Sequence, residues 1–157
     1  MDVYGKAPKS EAGEYYRQSI WGWHPLWDLV EAIAPDLAAK VEHAHSNDGD
    51  GLGARDSFAL SVRLKAAVID GTAARLVQER EAALAALPDE ECPICKGTGL
   101  RDWQGRTAGC NGCGSDVHSD KPGKGKVRPF ETHYGVEVSD VSEFAEFLAA
   151  CGGFEIN

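Results

Sequence analysis

Four cysteines between positions 92 and 113 carry the clearest chemistry in this 157-residue chain. They stand as CPIC and CNGC, a C-x2-C-x14-C-x2-C pattern made by Cys92, Cys95, Cys110 and Cys113. A C-x-x-C turn aims two thiolates at one point, and a second turn completes a tetrahedron, the arrangement of structural zinc sites. Gly97, Gly99, Gly105, Gly109, Gly112 and Gly114 crowd the same stretch. Backbone N–H groups turned toward sulfur call for positive φ angles, which cost glycine least. Ile94 and Trp103 are expected to give the site apolar cover. The expected cofactor is one structural Zn2+; an iron–sulfur cluster uses the same ligands and stays open. Two disulfides fit less well, because MDVYGKAPKSEAGEYY has no apolar leader and metal-held thiols suit a reducing cytoplasm. A redox C-x-x-C normally opens a helix after a strand, whereas Gly-Thr-Gly follows here. His118 is a spare donor that four cysteines make unnecessary.

Two further groups could bind something. WGWHPLW (21–27) and HAHSNDGDGLG (43–53) bring together Trp21, Trp23, His24, His43, His45, Asn47, Asp48 and Asp50, a candidate ligand or partner surface. Against it, Trp23 and Trp27 lie four residues apart, as core rings on one helical face would. The loop is no calcium loop either: Ser46 and Ser57 stand where carboxylates are required. Its plain role is a turn between helices, with Asp and Asn bonding to backbone. The second group is basic: Lys96, Arg101, Arg106, Lys121, Lys124, Lys126 and Arg128 surround the cysteines, with Trp103 available for stacking on a base.

CPICKGTG resembles the C-x-x-C-x-G-x-G repeat of the DnaJ-type zinc domain. CNGCGSDV keeps the cysteines and lacks the closing Gly-x-Gly; there is one pair of repeats where DnaJ proteins have two, and no HPD tripeptide. The co-chaperone activity is therefore not implied. YGKAPKSEAGEYYR, WGWHPLW, HSNDGDGLG and FAEFLAACGGFEI, taken with the cysteine module, resemble a family of small proteins from bacteriophages and actinobacteria. That resemblance spans most of the chain and implies no activity. It implies a phage-encoded protein of the host cytoplasm acting on a host factor.

The net charge of −9 is unevenly spread. Residues 1–91 carry nine Lys/Arg against sixteen Asp/Glu, 92–128 seven against three, and 129–157 none against six. An acidic body repels nucleic acid and favours a basic partner. No apolar run approaches membrane-spanning length, so no membrane partner is expected. A four-thiolate zinc has no open coordination position, and no nucleophile–base pair stands out, so no enzyme is expected. The expected function is that of a non-enzymatic zinc-binding interaction protein. The alternatives are a nucleic-acid-binding zinc protein and a small-ligand-sequestering protein using the aromatic and NDGDG region.

The elements that must position these residues read as a mainly α (α+β) fold: a helical body over 1–91, a zinc module with a basic loop over 92–128, and a strand–helix segment over 129–157 packed on the body as one compact domain. The first ten residues read as an arm or edge segment and Glu11 to about Ile20 as a helix. Gly22 punctuates, and Pro25 suits the first turn of the next helix, carrying Leu26, Trp27, Val30 and Ile33. Pro35 stops or kinks it, and Asp36–His45 can continue it. Ser57–Ile69 is helical, with Phe58, Val62, Ala66 and Ile69 as its buried stripe and Leu64 and Val68 widening it. Asp70-Gly71-Thr72 restarts a helix that runs to about Leu87 and should pack antiparallel on its predecessor. Beyond the module, 118–129 reads as an exposed loop and 133–138 alternates as a strand. A helix capped by Ser139 or Asp140 follows, burying Val141, Phe144, Ala145, Leu148 and Cys151. Phe154 and Ile156 add a short strand beside 133–138, in a β-α-β-like ending.

Overall fold

The computed structural model describes residues 1–157 and divides them into two compact units, Met1–Ala82 with His133–Asn157, and Ala83–Thr132. Helix and strand are mixed, with five α-helices and three small sheets.

The first unit begins with a strand rather than an arm: β1 (Asp2–Gly5) is the central strand of an antiparallel sheet. Its neighbours are β2 (Tyr15–Arg17) and the C-terminal β7 (Phe154–Ile156). The helix expected over 11–20 is only a 3-10 turn, Glu11–Gly13, before β2. The reasons are local and tertiary. Tyr15 and Tyr16 favour strand, and a Cβ at Gly13 would lie 2.3 Å from the Ala150 backbone, so the chain must turn there. Val3 pairs with Tyr16 on one side and Ile156 on the other, giving the sheet a buried apolar face. The alternate residues Tyr4 and Tyr15 meet outside, their rings tilted at 42°.

Helix α1 (Ile20–Ile33) starts one turn before the expected place, because Ser19 Oγ accepts the Gly22 N–H and caps it. Pro25 therefore sits inside the helix and withholds the N–H that Trp21 C=O would normally receive. That carbonyl takes the Gly135 N–H instead, at 3.1 Å. Here lies the reason why 133–138 is no strand: a 3-10 turn (Phe130–His133) leads into an extended link docked on α1, with no strand beside it. After the short α2 (Pro35–Ala38), residues 39–53 form turns rather than a continued helix.

Helix α3 (Ala54–Ile69) is followed by α4 (Thr72–Ala86), which runs from the first unit into the second. The turn between them has the expected chemistry: Gly71 has φ +83° and Asp70 accepts the Thr72 N–H. The packing differs. The extensive partner of α3 is α5 (Val138–Ala150), not α4. The buried face of α3 is Ser57, Leu60, Ser61, Leu64 and Ala67; Phe58, Val62 and Ile69 point outward, being 55%, 52% and 86% exposed. Small side chains on the inner face let the two helices approach closely. Helix α5 buries the expected stripe together with Phe147, and its capping box is Glu137 with Asp140, one turn ahead of the expected pair. Phe144 is the hub of the core, its ring against Tyr16, Trp23, Trp27, Phe147 and Phe154. Cys151 is a fully buried core thiol.

In the second unit β3 (Glu90–Glu91) pairs with β6 (Lys126–Val127), and β4 (Leu100–Trp103) forms a hairpin with β5 (Arg106–Gly109). Gln104 and Gly105 both have positive φ, 55° and 76°, as a two-residue hairpin turn of matching twist requires. No helix of the chain is long and apolar enough to cross a membrane.

Candidate metal centre

The four cysteines meet at the base of that hairpin. Cys92 follows β3, the first C-x-x-C turn leads into β4, and Cys110 follows β5 directly. Leu100 pairs with Gly109, so the hairpin register sets the two cysteine pairs side by side, and Cys110 N–H donates to Gly99 C=O at 2.9 Å. All four Sγ atoms lie within 4.8 Å of one another and all four residues are buried. Cys92 Sγ and Cys110 Sγ are 3.7 Å apart, as are Cys95 Sγ and Cys113 Sγ. These separations are far beyond a sulfur–sulfur bond of about 2 Å. They match the edges of a tetrahedron around a single ion with metal–sulfur bonds of about 2.3 Å. A cluster interposes sulfide-bridged irons between its thiolates and would hold them farther apart. The residues fit one metal ion.

Backbone N–H groups converge on the sulfurs. Gly99 N–H reaches Cys95 Sγ at 3.2 Å and Gly125 N–H reaches Cys113 Sγ at 3.3 Å. The N–H groups of Cys95 and Ile94 draw the Cys92 thiol down to about 7, toward the ligand-competent thiolate. Burial pushes the Cys110 and Cys113 thiols up, which opposes thiolate unless a cation shares the site.

The missing Gly-x-Gly of the second repeat reappears in space. Gly123-Lys124-Gly125, expected as part of an exposed loop, closes over Cys113: Gly123 N–H donates to Gly99 C=O and Lys124 N–H to Cys113 C=O. A Cβ at Gly123 would sit 2.7 Å from Cys113 Sγ, and one at Gly125, φ +70°, 2.2 Å from Gly97 C=O. The apolar cover also differs from expectation. Val127 packs against the cysteines, whereas Ile94 is half exposed and Trp103 lies under the Arg101 guanidinium at 5.1 Å.

The three arginines of this unit are committed. Arg128 donates to Leu84 C=O and Leu87 C=O, capping the end of α4, and reaches Asp89. Arg106 donates to Val117 C=O and Arg101 to Asn111. Lys126 stands opposite Glu91 in the sheet register. Lys96, Lys121 and Lys124 are exposed. With its boundary at Ala83–Thr132, the unit carries seven Lys/Arg against seven Asp/Glu, so the local basic excess disappears.

The aromatic segment and the NDGDG loop meet at Trp23–Ala44 and His24–His45, while their other candidate residues go to the core or to the loop itself. Trp23 and Trp27 are core, and Trp23 Nε1 donates to Ala44 C=O at 2.7 Å, a tie between α1 and the loop that no sequence signal marked. Asp50 is spent on the loop, accepting the His43 and Gly51 N–H groups, and Asp48 accepts from Ser46 Oγ. Gly51 is there for a close approach: its Cβ would lie 2.0 Å from Phe154 C=O. His24 Nδ1 and His45 Nδ1 are 2.6 Å apart, while His43 and Asn47 are both exposed. Trp21 is joined to this histidine pair through Tyr134, whose ring lies 4.9 Å from Trp21 and 5.8 Å from His24, and is half exposed on a cleft of about 570 Å3 with Glu81, His133, Glu137 and Asp140.

No protein-family model, curated protein or solved structure matches this chain.

Proposed function

We propose that the chain is a non-enzymatic interaction protein stapled by one structural zinc ion. One observation supports this above the rest: four buried thiolates, all within 4.8 Å, make a closed donor set with no position left for a substrate. Cys92, Cys95, Cys110 and Cys113 would hold the ion. What it supplies there is a fixed junction between the first C-x-x-C turn, the hairpin and the second turn. In the proposal the protein acts by binding a partner, a host factor if the resemblance to small phage proteins carries over, in the cytoplasm of the host. The acidic first unit, nine Lys/Arg against eighteen Asp/Glu, favours a partner with a basic surface.

Nucleic-acid binding through Lys96, Lys121 and Lys124 is the competing proposal; the zero net charge of the second unit and the engaged arginines weigh against it. Sequestration of a small ligand finds its best support in the Trp21 cleft. Capture of partners by tagged, zinc-loaded protein from host lysate, with and without nuclease, separates these. A defined protein retained after nuclease treatment supports the interaction reading; capture that disappears with nuclease overturns it in favour of nucleic acid.

A further inference from the structure

Helix α3 is apolar on two sides. Its inner face, Leu60, Leu64 and Ala67 with two serines, is buried in the core. Its outer side presents Phe58, Val62 and Ile69, three exposed large apolar side chains on one helix, with the exposed Ala66 between them and Ala59, half-buried against the core, at the edge. Residues 55, 59, 62, 66 and 69 alternate steps of four and three, the spacing of a seam along which a second helix packs. This stripe is flanked by the exposed Arg63 and Lys65, and a contiguous apolar patch of this kind marks a contact surface.

What covers it is indicated by the ends of the seam. Arg55 lies at the N-terminal end and Asp70, one of whose oxygens also accepts the Thr72 N–H, at the C-terminal end; both are exposed. A two-fold axis near Val62, halfway along the seam, lays one α3 antiparallel on another. Arg55 of each copy then faces Asp70 of the other, the helix dipoles oppose favourably, and Ala59 and Ala66 let the backbones approach. A two-fold contact needs such self-complementarity, with the same patch on both sides. We infer that the outer face of α3 pairs with the same face of a second copy of this chain in an antiparallel dimer. The seam is one helix wide, short of the roughly 800 Å2 per partner of standard interfaces, so the dimer is reversible and concentration-dependent. This is independent of the metal and of the identity of any other partner.

Sedimentation equilibrium of the full, zinc-loaded chain over a concentration series tests it. The mass should rise from the 16.8 kDa of one chain toward twice that value. Val62→Glu should hold the protein at one chain throughout, and at concentrations where the parent is also monomeric it should leave the melting temperature unchanged, because the side chain is exposed in the monomer. Mild oxidation should cross-link Val62→Cys to itself across the axis but leave Ile69→Cys uncross-linked. A chain that stays monomeric at every concentration overturns the inference, as does self-association that survives Val62→Glu. Efficient cross-linking of Ile69→Cys overturns the antiparallel arrangement.

Discussion

At the scale of single residues, the cysteines sort by neighbours rather than by type. Cys92, Cys95, Cys110 and Cys113 receive backbone N–H groups or lie within 4.8 Å of three other thiols, whereas Cys151 is enclosed by the α5 core and donates to Leu148 C=O. Cys110→Ser should lose the single zinc in native mass spectrometry, and Cys151→Ser should keep it. His24 is the residue whose protonation the fold resists. Burial depresses its pKa first, and the neighbouring His45 adds to this, against the opposing pull of Asp28. With Nδ1 atoms 2.6 Å apart one ring must accept, so the two cannot both be protonated in this geometry. A depressed folded-state pKa means that the unfolded chain takes up the proton first. The stability is then present above the ordinary histidine value of 6.5 and is lost as pH falls from there through the lower folded-state value. Urea midpoints at pH 7.5 and 5.5 should therefore fall apart less in His24→Gln than in the parent chain.

At the scale of elements, the metal centre depends on backbone approach more than on side-chain packing. Gly125 and Gly105 share a positive φ, 70° and 76°, but differ in space. A Cβ at Gly105 meets nothing within 4 Å, so Gly105→Ala should cost only the left-handed conformation, about 1–2 kcal/mol. A Cβ at Gly125 would strike the Gly97 carbonyl and displace the Gly125 N–H, just ahead of β6, that donates to Cys113 Sγ. Gly125→Ala should release zinc to a chromogenic chelator much faster than Gly105→Ala does; equal rates would show that the β6 closure is incidental. Helix α3 illustrates the opposite dependence. Close packing on α5 selects small residues for its inner face, so Ser57 and Ser61 go inside and Phe58 and Val62 outside, against their hydropathies.

At the scale of the whole molecule, the two units are held by different forces. Met1–Ala82 with His133–Asn157 has an aromatic core around Phe144, while the buried cluster of Ala83–Thr132 is four cysteines backed by Val127. Units this small seldom fold on burial alone, and structural zinc contributes about 10–16 kcal/mol in comparable peptides. Stripping the metal should open residues 83–132 to protease while helical circular dichroism from the first unit persists. Simultaneous loss of both would mean that the metal also supports the first core.

The clustering of the four cysteines, the stop at Asp70-Gly71, the buried stripe of α5 and the strand at Phe154–Ile156, though not its pairing with β1, were determined by sequence alone. Each rests on local geometry: C-x-x-C spacing, a glycine with positive φ, a period of 3.6, a glycine pair ending a helix. Other features belonged to tertiary structure because the sequence offered two equivalent solutions. Helix α3 has two apolar stripes, and only packing on α5 chose between them. Tyr15–Arg17 joined the sheet because β1 was there to pair with it, and 133–138 did not because its Gly135 N–H was taken by a carbonyl that Pro25 had freed. The second Gly-x-Gly lay ten residues beyond Cys113, where no repeat pattern would look, because the chain needed only to return to the sulfur in space.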